Sequence, residues 1–152
     1  MKNDTKNQKS CMDTKIELHM CANPDYLCVA RATARQVAQI SGLKKKETEQ
    51  ITLAVVEALT NVIRHSYGGP CDKPIVIKFN KIKYPDEKKM ALEIVIRDFG
   101  KRVDPKTIEG RDLDEIRPGG VGVHIMQSVM DKTEFKQAED CGMLLRMIKY
   151  IE

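Results

Sequence analysis

Residues 57–67 read EALTNVIRHSY, and every functional expectation for this chain starts from that stretch. It lies in a longer run, from about Lys45 to Ser66, in which Ile51, Val55, Ala58, Leu59 and Val62 recur at helical spacing. The run therefore predicts one helix with an apolar stripe, ended by Gly68-Gly69-Pro70. Glu57, Asn61, Arg64 and His65 stand at i, i+4, i+7 and i+8, so on a regular helix they share the face opposite that stripe. A carboxylate and an amide one turn apart can do metal and proton work. The same four residues also read as a solvated polar face, and the helix alone does not separate the two.

To the N-terminal side, residues 1–13 are polar, Lys- and Asn-rich and aperiodic, as expected of a disordered tail. From Thr14 onward Ile16, Leu18 and Met20 alternate with Lys15, Glu17 and His19, which predicts a half-buried strand. Asn23-Pro24-Asp25 then opens a first helix, whose apolar positions Leu27, Ala30, Ala34, Val37 and Ala38 lead to a stop at Gly42. To the C-terminal side come two strand-like runs, 75–79 and 91–97, and the polar stretch NKIKYPDEKK between them reads as an exposed connection. A loop over 98–120, a helical run from Val121 to Met130, and two further strands joined by Glu139-Asp140-Cys141-Gly142 complete the domain, 14–152. The order β, α, α, β, β, α, β, β predicts an α/β fold, a two-layer sandwich with helices on one face of a mixed, mostly antiparallel sheet.

Composition narrows the function. The 152 residues amount to one domain, with 41% hydrophobic and 32% charged residues and no Trp. No run approaches the ~18 consecutive apolar residues of a membrane helix, and the first residues lack the apolar core of a secretory signal, so no membrane partner and a cytoplasmic location are expected. Five cysteines without a C-x-x-C pair suggest reduced thiols rather than disulfides or a zinc ribbon. His19 and Cys21 could offer two metal ligands, but nothing nearby completes a set of four. The net charge of +4 comes from scattered lysines without interleaved aromatics, which argues against direct nucleic-acid binding.

Two further signals lie beyond the helix. Asp98-Phe99-Gly100 follows the strand LEIVIR, where an acid leaves the sheet and a glycine lets backbone approach a ligand, although Asp followed closely by Gly is also a routine turn. Arg117-Pro118-Gly119-Gly120-Val121-Gly122-Val123 is a glycine-rich loop running into a helix, a suitable cradle for an anion. It matches neither a Rossmann nor a Walker loop.

Taken together, EALTNVIRHSY, then DFG with VDP behind it, then RPGGVGVHIMQSVMD resemble the ATP-binding boxes of the GHKL superfamily of gyrase, heat-shock chaperone, histidine kinase and mismatch-repair ATPases. Within it the chain most resembles the anti-sigma-factor serine kinases, through Glu57 to Asn61, the closing Met130-Asp131 and the whole-chain length. The resemblance implies the histidine-kinase-like ATPase fold (Bergerat type), ATP and Mg²⁺ as cofactors, and transfer of phosphate to a serine of an anti-anti-sigma protein of the STAS fold. It also implies sequestration of a sigma factor as the alternative state, and a possible homodimer. By residue it implies Glu57 as general base, Asn61 as the Mg²⁺ ligand and Asp98 as acceptor of the adenine amino group. Gly100 would leave room for the base, and Gly120, Gly122 and Val123 at the helix start would cradle the phosphates, with Arg117 adding positive charge. Residues 101–119 would form a lid, and Arg31 on the first helix would face the sigma factor. Departures from the family pattern are Lys101-Arg102-Val103 after the DFG and Met143 after Gly142. No phosphoacceptor His on a dimerising helix pair precedes the boxes, so a histidine-kinase reading fails. The alternative expectation is a nucleotide-binding regulatory module with negligible kinase activity.

Overall fold

The protein is described by a computed structural model, in which residues 15–84, 88–101 and 121–152 are described. The expected tail, residues 85–87 and most of the expected lid, with Arg117 and Gly120, lie outside the described residues.

Strand β1 (Lys15–Ala22) alternates as its sequence requires, with Ile16, Leu18 and Met20 turned toward the core. The Asn23 side-chain oxygen accepts from Asp25 N–H at 2.9 Å and caps a short 3-10 turn that feeds helix α1 (Leu27–Ser41). Gly42 ends α1 in the left-handed region at φ 97°. Helix α2 (Lys45–Asn61) begins with the Glu47 carboxylate accepting the Lys44 N–H at 2.9 Å. Ala30, Ala34 and Ala38, one every fourth residue and all fully buried, let α1 approach its neighbours closely. Strands β2 (Cys71–Tyr84) and β3 (Lys89–Arg97) follow, then α3 (Val121–Val129), β4 (Lys132–Gln137) and β5 (Met143–Ile151).

The five strands stand in the order β1-β2-β3-β5-β4. The expected sandwich is present: Ile75, Ile77 and Phe79 of β2, Leu92, Ile94 and Ile96 of β3 and Met147 of β5 form one core with Ile51, Val55 and Leu59 of α2 and Met126 of α3. All four strand pairings are antiparallel, so no mixed pairing exists among the described residues. The connectivity explains it. Two helices between β1 and β2 return the chain in the opposite direction, whereas β3 and β4, which flank α3, run co-directionally. β5 then inserts between β3 and β4, so the co-directional strands never pair.

Two local expectations are corrected. Most of the stretch read as an exposed connection is strand, since Asn80 to Tyr84 pair with Glu93 to Lys89. Lys83 is exposed and Lys81 half-buried there, so the apolar alternation that marks a half-buried strand is diluted, while the backbone ladder runs on. The second helix is not regular to Ser66: residues Val62–Ser66 form a π-turn in which Tyr67 N–H bonds to Val62 O at 3.1 Å, five residues back.

Candidate nucleotide and phosphotransfer site

The helical side of the site is built by α2 and α3. Glu57 and Asn61, one turn apart, stand half-buried near the end of α2, and Gly122 in the first turn of α3 is packed against both. A methyl group added to Gly122 would lie 2.8 Å from Glu57 Oε2 and 3.4 and 3.6 Å from the Asn61 amide nitrogen and oxygen. Glycine thus leaves room for the tip of the Glu57 side chain, and the first and third sequence boxes meet at this point. Val123 next to it puts its side chain into the core, 7% exposed, so what it offers a ligand is its backbone N–H. Arg64 and His65, expected on the same face as Glu57 and Asn61, are exposed, because the extra residue of the π-turn breaks the helical phase after Asn61.

That break brings Ser66 and Tyr67 to the end of β3, where the sheet side of the site lies. Asp98 is 3% exposed there, and its carboxylate is satisfied from three directions. Oδ1 accepts from Gly100 N–H at 3.0 Å and from Met143 N–H at 3.3 Å, while Oδ2 accepts from the Ser66 hydroxyl at 3.2 Å. Burying a carboxylate costs several kcal/mol unless such donors surround it. Two further bonds fix this end of the sheet: Asp98 N–H donates to Met143 O at 3.0 Å, and Phe99 N–H donates to Tyr67 Oη at 2.8 Å. Tyr67 Oη in turn donates to Pro74 O at 2.6 Å, and burial raises its pKa above the usual 10, which preserves that donor.

Both glycines at this end are structural necessities. A methyl on Gly100 would lie 2.5 Å from Ser66 O. Gly142, at φ 74°, could take no side chain without running into the Asp98 carbonyl. The sequence expectations gave no role to Ser66, Tyr67 or Gly142, although Ser66 and Tyr67 close the EALTNVIRHSY stretch and Met143 after Gly142 stood out as a departure from the family pattern. The turn-like Glu139-Asp140-Cys141-Gly142 did not indicate which strand end it would meet.

The donor set fits a nucleotide. Asp98 keeps acceptor capacity beyond its three donors. On the helical side, the absent Cβ of Gly122 leaves a cradle next to a hard oxygen donor, the Asn61 amide, which suits a Mg²⁺ that keeps waters and bridges phosphates. His19, by contrast, pairs with Glu17 at 2.6 Å, and the four described cysteines are free thiols.

Arg31 lies apart from these groups. It is exposed on α1, in a shallow groove of about 180 Å³ shared with Arg35 and with Glu49, Thr52, Leu53 and Val56 of α2. A larger groove, about 530 Å³, sits at the other end of the sheet between Glu47 and Tyr150, and none of the expected site residues lines it. Among the described residues no helix is long and apolar enough to cross a membrane.

The profile of the histidine kinase-like ATPase domain matches residues 20–149. The serine-protein kinase RsbW of Listeria monocytogenes serotype 4a is 30% identical over 148 residues, covering 92% of this chain and 89% of its own. RsbW of Bacillus pumilus is 30% identical over 146 residues, covering 90% and 85%. A chain in the crystal structure of the SiaB-SiaC complex from Pseudomonas aeruginosa superposes with a TM-score of 0.62 over 88% of both chains, at 9% identity, and so shares the fold. With Glu57, Asn61 and Gly122 on one side and Asp98 and Gly100 on the other, the chain belongs to the histidine kinase-like ATPase family, in its branch of ATP-using serine-protein kinases.

Proposed function

We propose that this protein is a regulatory kinase that phosphorylates a serine of a STAS-fold anti-anti-sigma protein and, in the alternative state, sequesters a sigma factor. The observation that carries the reading is the convergence of Glu57 and Asn61 on Gly122, with the pinned Asp98 carboxylate on the opposite side. Mg-ATP supplies the phosphoryl group and neutralises its developing charge when bound.

The chain's own residues then divide the work. Asp98 accepts from the adenine amino group, while Gly100 keeps the base edge free of a side chain. Asn61 holds Mg²⁺ through its side-chain oxygen. Backbone N–H groups of Gly122 and Val123 face the phosphates at the start of α3, where the helix dipole favours negative charge. By family resemblance Gly120 and Arg117, outside the described residues, add to that cradle. Glu57 takes the proton of the substrate serine as its Oγ bonds to phosphorus and ADP departs. Positioning supplies most of the rate, since phosphoryl transfer asks little covalent chemistry of the protein. Arg31 and its groove face the partner protein, and β1, an edge strand of the sheet, supports the reading of a homodimer.

Three measurements test this. Calorimetric titration should show Mg²⁺-dependent ATP binding that Asn61→Ala loses. Incubation with ATP and a cognate STAS protein should place phosphate on a serine of that protein, and equal incorporation by wild type and Glu57→Ala would overturn the kinase assignment. Light scattering at micromolar concentration tests the dimer, which a monomeric mass removes.

A further inference from the structure

Arg97, the last residue of β3, belongs to none of the sequence motifs. Its side chain is 16% exposed, and its guanidinium reaches over the turn between β4 and β5. Nη1 donates to the Asp98 carbonyl and, at 2.6 Å, to the Cys141 carbonyl. Nη2 donates to the Asp140 carboxylate at 2.6 Å, and the Phe99 ring lies against the guanidinium, 4.3 Å from its carbon to the ring centroid. Only arginine presents several donors in one rigid plane that can also stack on a ring, so one side chain grips three acceptors at once.

Those acceptors belong to the two segments that meet at Asp98. Cys141 precedes Gly142, which abuts the Asp98 carbonyl, and Met143 follows with the N–H that bonds Asp98 Oδ1. Moving this turn would remove one of the carboxylate's three donors and free its orientation. We propose that Arg97 is a positioning residue for base recognition, tying the 138–142 turn to the end of β3 so that the Asp98 carboxylate points at the amino group of an adenine ring. The inference rests on the reading of Asp98 as the adenine acceptor. The Asp140 arm is the minor one, since that carboxylate is 69% exposed and its ion pair is screened by solvent. The two carbonyl contacts do the anchoring.

The experiment compares affinity for ATP with that for purine riboside triphosphate, the same nucleotide without the amino group, by calorimetry on wild type and variants. Wild type should prefer ATP by roughly 10- to 100-fold, the range of one hydrogen bond to a charged group. Arg97→Ala should bind the amino-less nucleotide within about threefold of wild type and lose most of the preference, falling toward the Asp98→Ala baseline. Arg97→Lys should recover part of it, and Asp140→Asn should leave the ratio within about twofold. If Arg97→Ala weakens both nucleotides equally and keeps the ratio, Arg97 is a structural staple only and the inference falls while the role of Asp98 stands. If wild type shows no preference, the role of Asp98 itself fails and takes the inference with it. Should Arg97→Ala not fold, Arg97→Lys decides, because a reduced ratio at unchanged Tm supports positioning and an unchanged ratio refutes it.

Discussion

Asp98 and Glu57 stand on the two sides of the site, and the chain holds these carboxylates in opposite ways. Asp98 is buried, bonded by Gly100, Met143 and Ser66, and the glycines near it abut backbone. Glu57 is half-buried at the end of α2, and the nearest atom a methyl on Gly122 would meet is the tip of its flexible side chain. Reading the edge of a base requires an acceptor fixed before the ligand arrives, because reorientation would dissipate the selectivity. Taking a proton from a hydroxyl that arrives on another protein requires a group that can adjust. On the function proposed above, the sheet side serves rigid recognition and the helical side adaptable chemistry.

This contrast can be broken at several points. The largest effect is expected from Glu57→Ala, which should lower phosphotransfer by roughly 10²- to 10⁴-fold while nucleotide affinity stays within about threefold, as stopped assays and calorimetry would show. A matching loss of affinity would mean that Glu57 is as much a binding group as Asp98. Gly142→Ala comes next. A left-handed backbone costs about 1–2 kcal/mol and the clash with the Asp98 backbone about 1–3 more, so urea unfolding should show a loss of about 2–5 kcal/mol. Gly68, at φ 72° with open space around it, is the control, and Gly68→Ala should lose only the backbone cost of about 1–2 kcal/mol. Equal losses would remove the close approach to Asp98 as the reason for Gly142.

Asp98→Ala should weaken ATP binding by roughly 10- to 100-fold in the same titration. Gly122→Ala sharpens the comparison from the other side. Alanine is the better helix former, so stability should rise by about 0.5–1 kcal/mol, while phosphotransfer falls several-fold as the new methyl displaces the Glu57 carboxylate. A stability loss on the scale of Gly142→Ala would show that the helical side is as rigid as the sheet side. The smallest effect is expected far from the site, where Lys44 and Glu152 form an exposed ion pair at 3.0 Å. Lys44→Ala should give no resolvable change in Tm at pH 7. The hydrogen bond and charge of Lys44 hold the Glu152 carboxyl below its ordinary value of 4.5. Whatever this pair adds to stability is thus present above that value and lost as pH falls through the lowered one.

Much of this was legible in residue order. Alternation placed β1, the four-residue spacing of small and apolar side chains placed α1 and α2, and the repeated glycines next to Val121 marked the start of α3. Local periodicity needs only near neighbours, which is why it survives in a bare sequence. Glu57 and Asn61 were readable for the same reason, being one turn apart on one helix. The polar half of β2 was not, since its strand character comes from the β3 ladder rather than from its own side chains.

The sequence by itself determined the family, the sandwich and the pair of residues on α2 that face Gly122. Only the tertiary structure decided what holds Asp98. The π-turn at Val62–Ser66 swings Ser66 toward the end of β3, and the insertion of β5 beside β3 brings Gly142, the Met143 N–H and the Arg97 contacts to one carboxylate. Those partners are 32 and 45 residues from Asp98 along the chain for Ser66 and Met143. No periodicity spans such separations, and the contacts arise only when long-range strand pairing closes the sheet around them.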